Sequence, residues 1–424
     1  VGLPLIKDKL FLFAAYEKLE STRNAPSFGP LGSQLTNVGI TPAAIASATD
    51  IAKNNYGINI GDSSMTAGSQ LTVDDSLLKV DWNINDNHRL MVRYSKTKQA
   101  EPQFTGMSAT GLSLNSEWFS QEKVIETKVG QWTADWTPTF STEVKLSSRD
   151  YDSTPSLNST LPLMNLQFTG PNPAGTPSTV STATRTLSFG TDNSRQRNIL
   201  GTKTKDAYAG ANWSLGDHEV KFGSDYSKND VYNAFLQNIW GNYTFSCVQN
   251  WNYAFLGGGT LTDCGNNANM QAAVLENFRI GRPSSYTLQT PNSGFSLDNA
   301  VSNFSMKNYG LFLQDTWSVT PRLTVSYGVR LDATRMDDRP LLNTRVAQAA
   351  IAATGATDNR QTGGFGIDNT VTFDGQNVWQ PRAGFNYSFD TERKMQIRGG
   401  AGLFQGAAGT VWLSNPFSNP GVAT

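Results

Sequence analysis

The chain alternates apolar and polar residues in paired runs. The clearest pair occupies residues 307–332, where two alternating runs flank a short turn at residues 318–321. A period of two is typical of a β-strand that lies between an apolar and a polar medium. Runs of about ten residues are long for a globular strand but match a tilted strand that crosses a bilayer. The pattern therefore predicts a hairpin of two membrane-spanning strands.

Similar hairpins recur along the chain, preceded by a single strand at residues 9–17. Short turns alternate with long polar loops, as in outer-membrane barrels, whose periplasmic turns are tight and whose extracellular loops are long. We therefore predict an all-β fold, a transmembrane antiparallel β-barrel with about 11 strands in this chain. Since a barrel has no free edges, these strands form only part of it, and more are expected beyond residue 424. The other predicted turns lie at residues 85–87, 137–139, 215–217 and 390–393.

An aromatic residue ends each descending strand, close to its short turn. Aromatic rings at one depth are typical of a membrane interface, so these residues are predicted to form a periplasmic girdle. The alternative is a soluble sandwich with core tryptophans. That fold has shorter strands, and its connections do not sort into short and long classes. The predicted girdle comprises Trp82, Trp136, Trp213, Trp317 and Phe389.

Charged residues recur on the polar face of the predicted strands. Facing lipid, each would cost roughly 2–4 kcal/mol at the bilayer midplane. We therefore predict that they face the lumen, where they pair with one another or with a plug. Contact with a passing solute is the alternative role. The set comprises Lys79, Asp81, Arg89, Arg93, Glu143, Lys145, Arg149, Arg322, Arg330, Asp332, Arg382 and Arg398.

The long loops are predicted to carry short helices. Thr41 and Pro42 have the N-cap and N1 signals of a helix that continues to about Ala52, and Gly57 would end it. Two further helices are expected at residues 270–278 and 344–353.

Two cysteines, Cys247 and Cys264, lie in the longest loop. Their spacing fits neither a redox motif nor a zinc site, so a disulfide is preferred over two free thiols. Such a bridge implies an oxidising compartment, such as the periplasm or the cell surface. Aromatic residues of the same loop form either a ligand-contact surface or the packing of a disulfide-pinned loop. These are Trp240, Tyr243, Phe245, Trp251, Tyr253 and Phe255.

Composition and residue content argue against several function classes. A net charge of −1 lacks the basic field that nucleic-acid binding requires. The two histidines, His88 and His218, each flank a short turn, and neither a metal-ligand cluster nor a catalytic set can be assembled. We expect no cofactor and no enzyme activity. The N-terminus lacks a signal-peptide pattern, so the chain is interpreted as a fragment of a longer protein.

Four segments resemble the barrel of Oar-like TonB-dependent outer-membrane receptors. Residues 1–17, VGLPLIKDKLFLFAAYE, are similar to the signature that opens that barrel, although the first four residues depart mildly from its usual start. Residues 77–95, 308–332 and 379–406 are similar to later hairpins. The resemblance implies a barrel of about 22 strands with a plugged lumen. Residues 1–424 would be the N-terminal half of that barrel domain, with the regulatory-like and plug domains upstream.

The same resemblance implies an active-transport receptor of the bacterial outer membrane. Its long loops would bind an unknown extracellular solute, and a plug moved by the TonB complex would gate import. The implied partners are outer-membrane lipid, the plug, the TonB complex and the solute. A surface adhesion protein that displays loops without transport is the main alternative, and a passive porin is a second.

Overall fold

The computed structural model describes residues 1–63, 69–180, 182–349, 364–406 and 409–423. Its largest element is a twelve-stranded antiparallel sheet in which strands follow one another in chain order. The strands are β1 (Gly2–Ile6), β2 (Leu10–Thr22), β3 (Gln70–Asn83), β4 (His88–Gln103), β5 (Phe119–Thr137), β6 (Phe140–Leu157), β7 (Arg197–Leu215), β8 (His218–Leu236), β9 (Ser302–Thr320), β10 (Leu323–Arg335), β11 (Asn377–Ser388) and β12 (Gln396–Gly402).

The sheet has one strand more than the sequence pattern predicts. Strand β1 pairs with β2, with Gly2 opposite Phe13 and Ile6 opposite Leu10. The alternation signal misses β1 because its short sequence, GLPLI, is apolar at successive positions and contains Pro4. Proline cannot donate to a ladder, and it is tolerated here because β1 is an outer strand of the sheet.

The predicted asymmetry between short and long connections is confirmed, and it gives the sheet two different ends. At the short-turn end the tightest connections are residues 138–139, 216–217 and 321–322. Gly216 adopts a φ of 64°, a left-handed conformation that glycine accepts without strain. At the long-loop end the connections span residues 23–69, 104–118, 158–196, 237–301 and 336–376.

The strand register places apolar side chains on one surface of the sheet, which we call the apolar face. One cross-strand row on this face passes from Trp82 to Leu90, Trp132 and Val144, and ends at Leu311 and Leu331 on later strands. Apolar side chains that stay exposed over a whole sheet require an apolar solvent. Each of the following is more than a third exposed: Leu78, Val92, Leu146, Phe222, Leu311, Leu313 and Val329.

The opposite surface, the polar face, carries most of the predicted lumen charges. The register aligns Lys79 with Arg93, and Arg330 with Gln380, all on this face. Arg322 is the exception, and its prediction as a lumen-facing strand residue is wrong. It lies in the short turn between β9 and β10, where it forms an ion pair with Asp390 of the next turn. The turn includes Pro321, so β10 begins one residue later than the alternation alone suggests.

The five predicted girdle residues lie at the short-turn end of the sheet. All are 38–51% exposed. Neighbouring rings extend them into a belt, because His88 contacts Trp136 at 5.1 Å between ring centroids and His218 stacks on Trp317 at 5.3 Å. The two histidines are therefore part of the aromatic belt.

The helices belong to the loops. They are α1 (Pro42–Tyr56), α2 (Asn267–Arg279), α3 (Thr344–Ala347) and α4 (Thr410–Ser418). Thr41 Oγ1 accepts a hydrogen bond from the Ala44 N–H at 3.0 Å, and Gly57 ends α1 with a φ of 67°. Residues 350–353 of the third predicted helix lie outside the described residues, and α4 was not predicted. Across the described ranges, every helix is too short or too polar to span a bilayer.

The assignment of the two faces predicts that arginine substitutions at two adjacent positions in β6 destabilise the barrel by very different amounts. Leu146→Arg places a charge on the apolar face between Gly130 and Ala207, and should destabilise the barrel by roughly 2–4 kcal/mol. Ser147→Arg lies on the polar face, where Asp206 accepts from the native serine at 3.1 Å, and should cost far less. Urea unfolding of the two variants in lipid vesicles measures the difference. A larger loss of unfolding free energy for Ser147→Arg than for Leu146→Arg would show that the two faces are assigned the wrong way round.

Candidate solute-binding cap

Four long loops fold together into one structure at the long-loop end of the sheet. We call it the cap and define it as the described residues of 23–63, 104–118, 158–196 and 237–301. Its centre is a five-stranded mixed sheet that draws strands from three loops. Those strands, in spatial order, are Ser285–Thr287, Asn242–Ser246, Leu163–Phe168, Arg185–Phe189 and Gly111–Ser113. The sequence pattern did not predict this sheet.

Smaller elements complete the cap. Phe28–Gly29 pairs in parallel with Thr36–Asn37, and Trp251–Asn252 pairs antiparallel with Thr260–Leu261. Three single turns of 3₁₀-helix lie at Asn115–Glu117, Ala254–Leu256 and Leu297–Ala300.

The cap has its own hydrophobic core, to which every loop contributes. Helix α2 packs on the mixed sheet, and α1 packs against α2 and contributes the small buried residues Ala44, Ala48 and Ala52 to the same core. Small side chains let a helix approach a neighbouring layer closely, which explains why an alanine-rich segment is used here. The remaining buried core residues include Val38, Ile40, Ile60, Leu112, Leu114, Leu166, Phe168, Leu187, Phe189, Phe245, Met270, Val274 and Phe278.

Hydrogen bonds between loops fix their relative positions. Ser116 joins three segments, because its hydroxyl donates to Ile60 O at 2.6 Å and accepts from the Gly190 N–H at 3.0 Å. Asn267 Nδ2 donates to Pro171 O at 2.9 Å. Within the third loop, buried Arg185 donates from Nη1 to Gly170 O at 2.9 Å, and burial lowers the pKa of its guanidinium. These bonds make the loops one unit rather than independent segments.

A disulfide joins Cys247 and Cys264 in the structure. Cys247 packs against both the main cap core and a smaller cluster around Tyr253, Leu261 and Ala273. The bridge therefore holds the edge of the longest loop against α2.

The six loop aromatics separate into buried and accessible residues. Phe245 and Tyr253 are buried, at 4% and 1% exposed, so for both residues the packing alternative applies rather than solute contact. Their burial follows from strand and helix contacts that loop composition does not reveal. Trp251 is half-buried under the Arg282 guanidinium, 4.2 Å from its ring centroid. Trp240 and Tyr243 are also half-buried, and Phe255 is exposed.

An open cavity of about 750 Å³ lies on the cap surface among the first three loops. Its lining contains small, hydroxyl, amide and aliphatic side chains and no charged residue. Such a lining suits an uncharged polar solute of moderate size. Sequence analysis missed this site, because its glycine, proline and serine content indicates only a loop. The lining is Leu31, Gly32, Ser33, Leu35, Thr36, Asn37, Ala109, Ala174, Gly175, Pro177, Thr179 and Val180.

The polar face of the sheet carries a partly paired charge array. Arg330 donates to both oxygens of Asp225, at 2.7 and 2.9 Å, and also bonds Asp332. Gly310 leaves room for this network, because a Cβ there would lie 2.5 Å from Asp225 Oδ2. Lys79 pairs with Asp81 at 2.8 Å. These contacts match the structural pairing predicted for lumen charges.

Other lumen cations have no carboxylate within ion-pair distance among the described residues. These are Arg89, Arg93, Arg149, Arg382 and Arg398, together with Lys145. Arg382 instead lies over the Phe404 ring at 5.6 Å. These six cations are therefore groups on the polar face that a plug or a solute could contact.

Helix α4 packs on the polar face near the long-loop end. Phe417 stacks on Phe304 of β9 at 4.8 Å between ring centroids, and both contact the cluster of Val231 and Met336. A segment that follows β12 therefore covers part of the lumen wall below the cap.

A sheet with one apolar and one polar face, tight turns at one end and folded loops at the other defines a membrane β-barrel. The family described as "Outer membrane beta barrel domain" matches residues 24–424. The chain belongs to this family, and the protein lies in the bacterial outer membrane.

Solved structures to which the chain is similar include those of three outer-membrane proteins. The ferric-catecholate import receptor Fiu from Escherichia coli is 12% identical, with 92% of this chain and 46% of that chain covered and a TM-score of 0.45. The outer membrane transporter YddB from Escherichia coli is 10% identical, with 94% and 45% covered and a TM-score of 0.45. The hemophore receptor HasR from Serratia marcescens, in complex with HasA and heme, is 12% identical, with 92% and 40% covered and a TM-score of 0.44. This chain thus spans less than half the length of each. No curated protein matches the sequence.

Glu117 is a buried acid that makes the cap sensitive to pH. Burial, with a smaller contribution from Asp192, raises the pKa of the Glu117 carboxyl from 4.5 to about 8. Its Oε2 has no hydrogen-bond partner among the described residues. Between about pH 4.5 and pH 8, Glu117 therefore keeps its proton in the folded cap, whereas the unfolded chain releases it.

Because the folded pKa of Glu117 exceeds the unfolded one, cap stability should fall as pH rises from about 4.5 to about 8 and then level off. Glu117→Gln should remove this dependence and protect the cap at pH 8. Amide hydrogen exchange of residues 104–118 at pH 5 and pH 8, corrected for intrinsic rates, measures this pH dependence of cap stability in the wild type and the variant. An identical pH dependence in both proteins would contradict the assignment.

Proposed function

We propose that residues 1–424 are the N-terminal half of the barrel domain of an Oar-like TonB-dependent receptor that imports an extracellular solute. The complete barrel would hold about 22 strands around an upstream plug. Membership of the outer-membrane barrel family and the resemblance of residues 1–17, 77–95, 308–332 and 379–406 support this assignment.

The cap carries the functional part of the proposal. Four loops share a core and cross-loop hydrogen bonds, a disulfide closes the longest of them, and the other three line one surface cavity at the long-loop end. A passive porin needs an open lumen, and folded loops at the end of the barrel would not help it to conduct solutes. A preformed cavity above a charged lumen wall suits capture of a solute before passage.

The orientation follows from the same features. Long loops face the cell exterior in outer-membrane barrels, and tight turns face the periplasm. The cap would then be extracellular, and the Trp82 to Phe389 belt would be the periplasmic girdle. The Cys247–Cys264 bridge suits an extracellular cap, because disulfides persist in oxidising compartments.

Uptake by cells that carry the intact receptor tests the proposal. The probe is a labelled panel of neutral oligosaccharides and uncharged peptides, chosen because the cavity lining has no charge. Accumulation of at least one member should stop when the proton-motive force is collapsed. Ala174→Trp, which fills the cavity, should lower uptake at least tenfold, which corresponds to about 1.4 kcal/mol of binding.

Ala46→Trp on the exposed side of α1 is the matched control and should leave uptake unchanged. Accumulation that persists without the proton-motive force would indicate a porin. Surface binding without accumulation would indicate an adhesion protein. Either result would overturn the transport proposal.

A further inference from the structure

A cross-strand row with five basic side chains and one serine crosses six adjacent strands on the apolar face. Register pairs Lys128 with Ser148, Ser148 with Lys205, Lys205 with Lys228, Lys228 with Lys307, and Lys307 with Arg335. We call these residues the lysine row. Because residues directly opposite one another share a face, the row lies on the surface that carries Leu146, Leu311 and Leu331.

The row lies near the top of the apolar band. Eight residues separate Lys128 from Trp136 and Lys205 from Trp213, and ten separate Lys307 from Trp317, which is about 26–33 Å of extended strand. At a tilt of about 40° these distances become about 20–25 Å of depth, close to the height of the apolar band of an outer-membrane barrel, which is about 25 Å. Tyr226 and Tyr309, whose rings lie 5.1 Å apart, occupy the row just below. The lysine row therefore sits where the hydrocarbon ends and the lipid headgroups begin.

Four consecutive basic residues face one another without an intervening acid. Like charges directly opposite in a sheet are destabilising, so Lys205, Lys228, Lys307 and Arg335 require an anion nearby. Protein carboxylates supply only part of this negative charge. Lys128 pairs with Glu126 at 3.1 Å, Lys228 with Asp230 at 2.8 Å and Lys307 with Asp337 at 2.5 Å.

Lys205 and Arg335 have no carboxylate within ion-pair distance among the described residues. Arg335 bonds only the Thr334 carbonyl and the Asn377 side chain. The row above holds three acids, Glu126, Asp150 and Asp230, with two lysines among them, Lys96 and Lys203. On each strand it lies further from the hydrocarbon than the lysine row. Positive charge is thus concentrated at the lower, headgroup level.

We propose that the lysine row binds phosphate groups of outer-leaflet lipids. Adjacent strands are about 4.8 Å apart, so neighbouring lysines can share one phosphate or bridge two on the same lipid. The apolar face below the row would take the acyl chains of that lipid. Charge and apolar surface therefore match a phosphorylated, acylated molecule rather than a soluble anion. The site goes beyond the transport proposal and does not depend on it.

Native mass spectrometry of the purified intact protein tests the proposal with three lipid probes: phosphorylated lipid A, enzymatically dephosphorylated lipid A, and phosphatidylcholine. The phosphorylated form should bind most tightly. A triple variant with Lys205→Gln, Lys228→Gln and Lys307→Gln should lose roughly 100-fold in affinity for it, since each lysine near an anionic headgroup contributes about fivefold. Affinity for the dephosphorylated form should change little.

Two control variants separate charge at this row from folding and from total charge. The corresponding triple Lys→Arg variant should keep the affinity, because it keeps the charge. A triple variant with Arg93→Gln, Lys145→Gln and Lys221→Gln removes equal charge from the polar face and should also bind normally. Equal affinity for phosphorylated and dephosphorylated lipid A in the wild type, or equal loss in the polar-face variant, would overturn the proposal.

Discussion

The structure depends on satisfying every backbone polar group inside a bilayer. Neighbour-to-neighbour antiparallel pairing does this for the strands, and it also fixes which residues lie opposite one another. Because the side-chain period is two, one register assigns all strands to two faces. Leu146 and Leu311 thereby meet lipid while Lys145 and Arg330 line the lumen. The aromatic belt, the lumen charges and the lysine row are consequences of that single register.

The cap follows a different physical rule. Outside the bilayer, water can satisfy loop backbone groups, so no ladder is obligatory there. Four loops nonetheless gain a core by combining, and burial of Leu166, Leu187 and Phe245 offsets the entropy of ordering them. The result is a folded cap that carries a surface cavity at the long-loop end of the sheet. The barrel strands thus form the wall, and the cap carries the surface cavity on which the proposed capture of a solute depends.

Sequence reasoning predicted the parts of the structure that depend on local periodicity. Alternation along residues 307–332 gave the membrane hairpin, and the Thr41, Pro42 and Gly57 signals gave α1. It could not predict the cap sheet, because the strands containing Leu166, Leu187 and Phe245 come from separate loops and pair only after the chain folds. It also left the role of Phe245 and Tyr253 open, since loop composition does not reveal burial. Arg322 was misplaced because Pro321 shifts the start of β10.

The orientation of the barrel is the claim on which capture by the cap depends. Asp50 in α1 and Asp86 in a short turn are both exposed. A cysteine at either position can therefore react once the reagent reaches that side of the membrane. Whole cells carrying the intact protein with Asp50→Cys or Asp86→Cys can be treated with a membrane-impermeant maleimide. Labelling should occur at position 50 in intact cells and at position 86 only after the outer membrane is permeabilised. Labelling of position 86 in intact cells, with position 50 protected, would contradict the account.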